Sequence, residues 1–189
     1  MDLEERIAEL RAGGDLAGAA TEAIRGLGPA VLRYLRSLLR DEDDATEAFS
    51  QFAENLWRGL PAFRGDSAFR TWAYRLAWNA ALDMRDGAWR KRGRRLRTQE
   101  ASALADEVRT KTAVVVERQR RALDRLRESL SVEDQSLLVL RVDQGLPWNE
   151  IAEVLAEEGR PVAPAALMKR FERLKERLAR LARDQGLLE

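Results

Sequence analysis

Residues 63–84 read FRGDSAFRTWAYRLAWNAALDM. From Phe69 onward the apolar positions Phe69, Trp72, Ala73, Leu76, Ala77, Ala80 and Met84 recur at the three- and four-residue steps of one helix face, and Ser67 is placed to cap that helix. Tyr74, Arg75, Trp78 and Asn79 are expected on a neighbouring, less buried face. Aromatics interleaved with Arg and Asn suit stacking on bases outside a duplex, at about 1–3 kcal/mol per stacked base. In the preceding loop Arg64, Gly65, Asp66 and Ser67 combine a glycine with short polar side chains, a composition that can pocket an extruded base. The same residues also read more plainly: Tyr74 and Trp78 would then only widen the core stripe.

Working outward, the upstream helices follow the same period. Ala45, Ala48, Phe49, Phe52, Ala53, Leu56 and Leu60 form a stripe ended by Pro61, and the acidic run Asp41–Asp44 ahead of it favours a helix N-terminus. Val31, Leu32, Leu35, Leu38 and Leu39 form another, in a helix expected to open at Pro29, with a short helix near Asp15 to Arg25 before it. These elements make a first bundle over residues 1–88. Downstream, residues 88–97 read AWRKRGRRLR. This run and the stretch after it carry no clean apolar stripe, so residues 89–111 are expected to be a basic linker, partly helical. With Arg85, its cations would track a phosphate backbone.

Order returns over residues 112–189. Val115, Gln119, Ala122, Leu123, Leu126 and Leu130 space out a helix; Ser131 begins a Ser-x-x-Asp cap for a second, ended by Gly145. Pro147 opens a short third helix and Pro164 a longer fourth, the latter carrying Leu167, Phe171, Leu174, Leu178 and Leu181. A short helix, a turn and a longer helix is the helix-turn-helix plan, whose second helix enters the major groove. Its polar face holds Lys169, Arg170, Arg173, Lys175 and Arg177. The early cations are placed to read bases and the later ones to meet phosphates. A surface helix or short coiled coil has the same pattern.

Composition excludes more than it selects. The 189 residues are 45% hydrophobic and 34% charged, which suits packed cores with an ionised surface. The net charge of +1 makes no case for nucleic-acid binding by itself. Cysteine and histidine are both absent, which removes disulfides, thiolate nucleophiles, histidine bases and the usual zinc sites. No Gly-rich phosphate loop or catalytic constellation occurs, so neither an enzyme nor a cofactor or metal is expected. With no apolar run near the length of about 20 residues that a bilayer requires, no membrane insertion is expected, and the location expected is cytoplasmic.

Two stretches in this order carry a family resemblance. DEDDATEAFSQFAENLWRGLPAFRGDSAFRTWAYRLAWNAALD resembles region two of extracytoplasmic-function sigma factors. LSVEDQSLLVLRVDQGLPWNEIAEVL, followed by ALMKRFERLKERL, resembles their region four. The resemblance covers residues 15–90 and 112–183. Its strongest pieces are FRG-x-S-x-FRTW-x-YR-x-A-x-N with Asp83, and QGLPWNEIAEVL. It departs from the usual pattern at Ser50–Ala53, where a Gln-Glu-x-Phe order is common, and at Trp78, where an Arg is common. It departs again in the longer turn AEEGRPVAP, at Ala165 and Ala166 in place of Gly-Thr, and at Met168 in place of a Lys.

The resemblance implies an all-α protein of two small domains that gives bacterial RNA polymerase its promoter specificity, without chemistry of its own. Core polymerase would be met by the helix from Asp44 to about Leu60, through Asp44, Glu47, Ser50, Gln51, Glu54 and Trp57. The minus-ten element would be opened and read by Arg64, Gly65, Asp66, Ser67, Arg70, Trp72, Tyr74, Arg75, Trp78, Asn79 and Arg85. The minus-thirty-five element would be read by Ala165, Ala166, Met168, Lys169, Arg170 and Arg173. An anti-sigma protein is the expected regulator. Two other readings compete with this one. A stand-alone helix-turn-helix regulator would need a dimerisation surface and has no use for the Trp/Tyr/Asn helix; a helical scaffold would be indifferent to mutation of its basic run.

Overall fold

The computed structural model describes residues 2–39, 41–85, 87, 99–116, 130–157 and 160–184. The basic run at 90–97 and most of the helix expected over 115–130 lie outside the described residues. The chain divides into two compact units, Met1–Val116 and Glu117–Glu189. Both are helical, and among the described residues there is no strand, only an isolated bridge between Glu157 and Arg160.

The first unit begins with α1, Leu3–Ala12, opened by a reciprocal cap in which Asp2 accepts from the Glu5 N–H and Glu5 accepts from the Asp2 N–H. Helix α2, Leu16–Leu38, is capped by Asp15. It runs unbroken where the sequence suggested a short helix and a second one opening at Pro29. An internal proline costs about 3 kcal/mol. Ile24, Val31, Leu32 and Leu35 are buried on both sides of it, and each returns about 1.5–3 kcal/mol, so burial wins. Helix α3, Glu42–Gly59, is capped by Asp41, whose carboxylate accepts from the N–H groups of Asp43 and Asp44. A 3-10 turn at Leu60–Ala62 follows it, and α4 spans Phe69–Arg85.

Helix α5, Gln99–Val116, corrects the expected extent of the linker and of the first module. It packs on α2 and α3, burying Ala101, Leu104, Ala105 and Val108. Two alanines, one leucine and one valine make a faint apolar stripe, but small residues let helices approach closely. A Cβ built on Gly28 of α2 would fall 3.0 Å from Val108 Cγ2.

In the second unit, α6, Val132–Leu138, is capped by Ser131, which accepts from the Asp134 N–H at 3.2 Å, and continues as one π turn over Val139–Asp143. Helix α7 is Trp148–Leu155 and α8 is Pro164–Asp184. Leu137, Leu140, Leu146, Ile151, Val154, Leu167 and Leu174 form the core that α6, α7 and α8 share.

Candidate functional site

Three surfaces gather the residues singled out from the sequence. The first is the loop before α4 and the outer side of that helix. Arg64, Gly65 and Asp66 are exposed and Ser67 half-buried. Gly65 has φ +82°, with no atom within 4 Å of a Cβ built on it, so backbone conformation rather than space requires glycine there. The cap expected of Ser67 is supplied from α1 instead: Glu4 accepts from the N–H groups of Phe69 at 3.0 Å and Arg70 at 2.7 Å.

The structure corrects the expected orientation of α4. Tyr74 is 0% and Trp78 2% exposed, with Tyr74 edge-on to Tyr34 at 5.4 Å. Thr71, Ala77 and Ala81 are buried with them, which turns the apolar sector toward Tyr74 and Trp78. Neither aromatic can therefore stack on a base. Trp72 and Leu76 sit at the rim and Arg70 is half-buried, while Arg75, Asn79 and Arg85 are exposed. At about 100° per residue, Trp72, Arg75 and Asn79 share one narrow sector. Trp72 belongs to an aromatic cluster with Phe63 at 4.9 Å and Phe69 at 5.3 Å, and Arg11 lies over the Phe63 ring at 4.8 Å. Phe63, Glu4 and Arg11 were not singled out from the sequence. The aromatic beside Arg64-Gly65 was a signal for the first, but Glu4 and Arg11 act across more than 50 residues of chain.

The second surface is α3. Asp44, Glu47, Gln51 and Trp57 are half-buried, and Gln51 donates to Asn55 Oδ1 at 2.9 Å. Ser50 is 6% exposed: its hydroxyl donates to the Thr46 carbonyl and accepts from Arg109 Nη1 of α5 at 3.0 Å. Glu54 is 3% exposed and paired with Arg58. Ser50 and Glu54 therefore belong to the interior of this unit, contrary to the contact role expected of them.

The third surface is α8. Ala165, Ala166, Lys169 and Arg173 are exposed in one sector opposite the buried Leu167 and Leu174. Met168 lies on a flank, 47% exposed. Arg170, expected as a base reader, is committed elsewhere: Nε donates to Asp134 Oδ1 at 2.6 Å and Nη2 to Ser131 Oγ at 3.2 Å. What remains outward is a short stripe of two cations over two alanines, low enough in relief for close approach to a groove. Among the described residues no cluster of acidic side chains is suited to a metal, and no helix is long and apolar enough to cross a membrane.

Comparison with known proteins shows what the elements carrying these surfaces are similar to. Sigma-70 region 2 matches residues 23–95, which span most of α2, all of α3, the 63–68 loop and α4. The RNA polymerase sigma-H factor of Pseudomonas aeruginosa is 29% identical over 136 residues, 66% of each chain and so just under two thirds of that protein's length. Among solved structures, the sigma factor RpoE of Bartonella quintana, crystallised with the anti-sigma factor NepR, has the same fold. Its TM-score is 0.60 at 18% identity, over 86% of this chain and 95% of that one. The chain is thus similar to RNA polymerase sigma factors in sequence over the first unit's bundle, where sigma-70 region 2 matches, and in fold over most of its length.

Proposed function

We propose that the chain joins core RNA polymerase through the first unit, opens and reads the minus-ten element with its 64–68 loop and α4, and reads the minus-thirty-five element as duplex with α8. The observation that carries this reading is the loop itself. Arg64, Gly65 and Asp66 stand exposed between two anchored ends, beside the outward sector of Trp72, Arg75 and Asn79. A base leaving the stack would meet polar side chains in the loop, and its backbone would meet Arg75 and Arg85. Stacking falls to the rim aromatic Trp72, in place of the buried Tyr74 and Trp78. On α3 the contact to polymerase falls to Asp44, Glu47, Gln51 and Trp57. On α8 the duplex meets Lys169 and Arg173 over Ala165 and Ala166, with Met168 at the edge.

RNA synthesis in this reading belongs to the polymerase, and the chain contributes binding energy and strand separation. The NepR complex of the Bartonella sigma factor supports an anti-sigma partner here as well. The test is gel filtration of this chain with purified bacterial core polymerase, followed by permanganate footprinting on promoters selected by that holoenzyme. Stoichiometric co-elution and thymine reactivity over a minus-ten element are expected. A chain that never joins core, yet binds duplex DNA as a dimer, would instead be a stand-alone helix-turn-helix regulator.

A further inference from the structure

Helix α1 lies outside the segment matched by sigma region two, yet it holds both ends of the loop on which base selection rests. At the upstream end, Arg11 donates from Nη2 to the Phe63 carbonyl and lies over the Phe63 ring at 4.8 Å. At the downstream end, Glu4 takes the N–H groups of Phe69 and Arg70, at 3.0 and 2.7 Å. Glu4 and Arg11 are seven residues apart, so they stand on the same side of α1, two turns from each other. Leu3 and Ile7 share that sector and fix it against the bundle. Ile7 is buried, and a Cβ built on Gly26 of α2 would fall 2.6 Å from Leu3 Cδ2.

Between those ends little else restrains the loop. Arg64, Asp66 and Ser67 make no side-chain hydrogen bond to any described residue, and Gly65 is surrounded by open space. Its shape is therefore set by where Phe63 and Phe69 are placed. Both anchors involve an ionised partner, and such hydrogen bonds are stronger than neutral ones. Glu4 also sits where a negative charge is favoured, at the N-terminus of α4. The grip on Phe63 extends to Trp72, since Phe63 packs on that ring at 4.9 Å.

We infer that α1 is a brace for base selection, with Glu4 and Arg11 as positioning residues that set the sequence preference of the 64–68 loop without touching DNA. This rests on the proposed reading of the loop. A loop held at both ends presents its pocket in one geometry, and preorganisation of that kind is spent on discrimination when binding energies are compared between bases. A slack loop would still bind single strands through Arg75 and Arg85 but would choose between bases less well.

The experiment uses holoenzyme assembled from core polymerase and the full chain, presented with a pool of single-stranded DNA randomised over a short window. The bound fraction is sequenced, and core affinity is measured in parallel. In Glu4→Ala and Arg11→Gln, enrichment at the base chosen by the loop is expected to fall about fivefold, the ratio equivalent of one helix-cap interaction, with core affinity unchanged. Glu4→Gln and Arg11→Lys, which each keep part of the contact, are expected to fall between these and the parent chain. If Asp66→Ala flattens the profile but the Glu4 and Arg11 variants do not, the brace is overturned while the loop remains the reader. A parent profile that is flat, or that Asp66→Ala leaves unchanged, removes the loop reading and the brace with it. Equal loss of enrichment and core affinity would make α1 a general structural element and overturn the positioning role.

Discussion

Arg170 of α8 and Asp134 of α6 meet at 2.6 Å, and the same guanidinium reaches the Ser131 hydroxyl that caps α6. The helix proposed to enter the major groove is thereby tied to the N-terminus of the helix behind it. The pair is partly solvated, with Arg170 40% and Asp134 16% exposed, so its coupling should be about 1 kcal/mol. Arg170→Ala and Asp134→Asn are each expected to lower the melting temperature of the second unit. The double variant should be less destabilised than the sum, as a double-mutant cycle will show. Additive losses would mean that the two side chains do not interact in solution.

Lys169 and Arg173 should behave in the opposite way. Both are exposed, and neither has an ion-pair partner among the described residues. Their replacement by Ala is expected to move stability by no more than about 0.5 kcal/mol. Duplex binding should weaken, and each cation that meets a phosphate should reduce the slope of log K against log salt by about 0.9. An unchanged salt slope with altered base preference would instead assign that cation to a base edge.

Trp78 is a stability residue in spite of its place among promoter-reading candidates. It is among the largest fully buried side chains, so Trp78→Ala should cost about 3–5 kcal/mol in denaturant unfolding. Polymerase binding and promoter opening would then fall together. Trp78 Nε1 has no hydrogen-bond partner among the described residues, so Trp78→Phe gives up packing but no bond. It should be far milder, and a Phe variant as unstable as the Ala one would contradict this packing.

The junction of α2 and α5 is tight at Gly28, where an added Cβ would sit 3.0 Å from Val108 Cγ2 and 3.3 Å from Phe49 Cζ. Overpacking of this kind costs about 1–3 kcal/mol. Gly28→Val should therefore destabilise the first unit and make α5 the first site of limited proteolysis. Adding Val108→Ala should recover part of the loss, because it removes the atoms nearest the new side chain. Independent effects would show that α5 does not rest on Gly28.

Local signals in the sequence translated well into structure, and distant ones did not. Ser131 before an acidic first turn, and Asp41 before another, cap the helices that follow from within four residues, whereas at α4 the distant Glu4 takes the place expected of Ser67. Pro29 misled because its local penalty is outweighed by burial along both halves of α2. Tyr74 and Trp78 read either as a base-stacking face or as a widening of the core stripe, and the burial of Thr71 and Ala81, both outside the expected stripe, decides for the core. Arg170 looked like a reader because its partner lies 36 residues away, and Glu4 went unnoticed because its partners lie 65 and 66 away. Charge on a helix surface says that a side chain is ionised; only the fold says what has already claimed it.

Gly65 offers the most direct separation of the loop from the rest of the protein. Its φ of +82° is a conformation that an L side chain adopts at a penalty of about 1–2 kcal/mol, while the space around its Cα is open. Gly65→Ala therefore introduces no clash, and its effect is confined to backbone preference. The loop would trade that strain for a shifted backbone between Phe63 and Phe69. Both of those ends are held from α1, so the shift must be absorbed by Arg64, Asp66 and Ser67. Thermal stability should fall only slightly, and the polymerase binding proposed for α3 should be unaffected. Promoter opening, followed by permanganate reactivity, should drop by about tenfold if the whole penalty is borne by the base-bound loop. Gly65→Asn should be less impaired, since Asn enters the left-handed region more readily than Ala. Equal opening by the Ala and parent chains would show that the loop's backbone conformation is not what the displaced base meets.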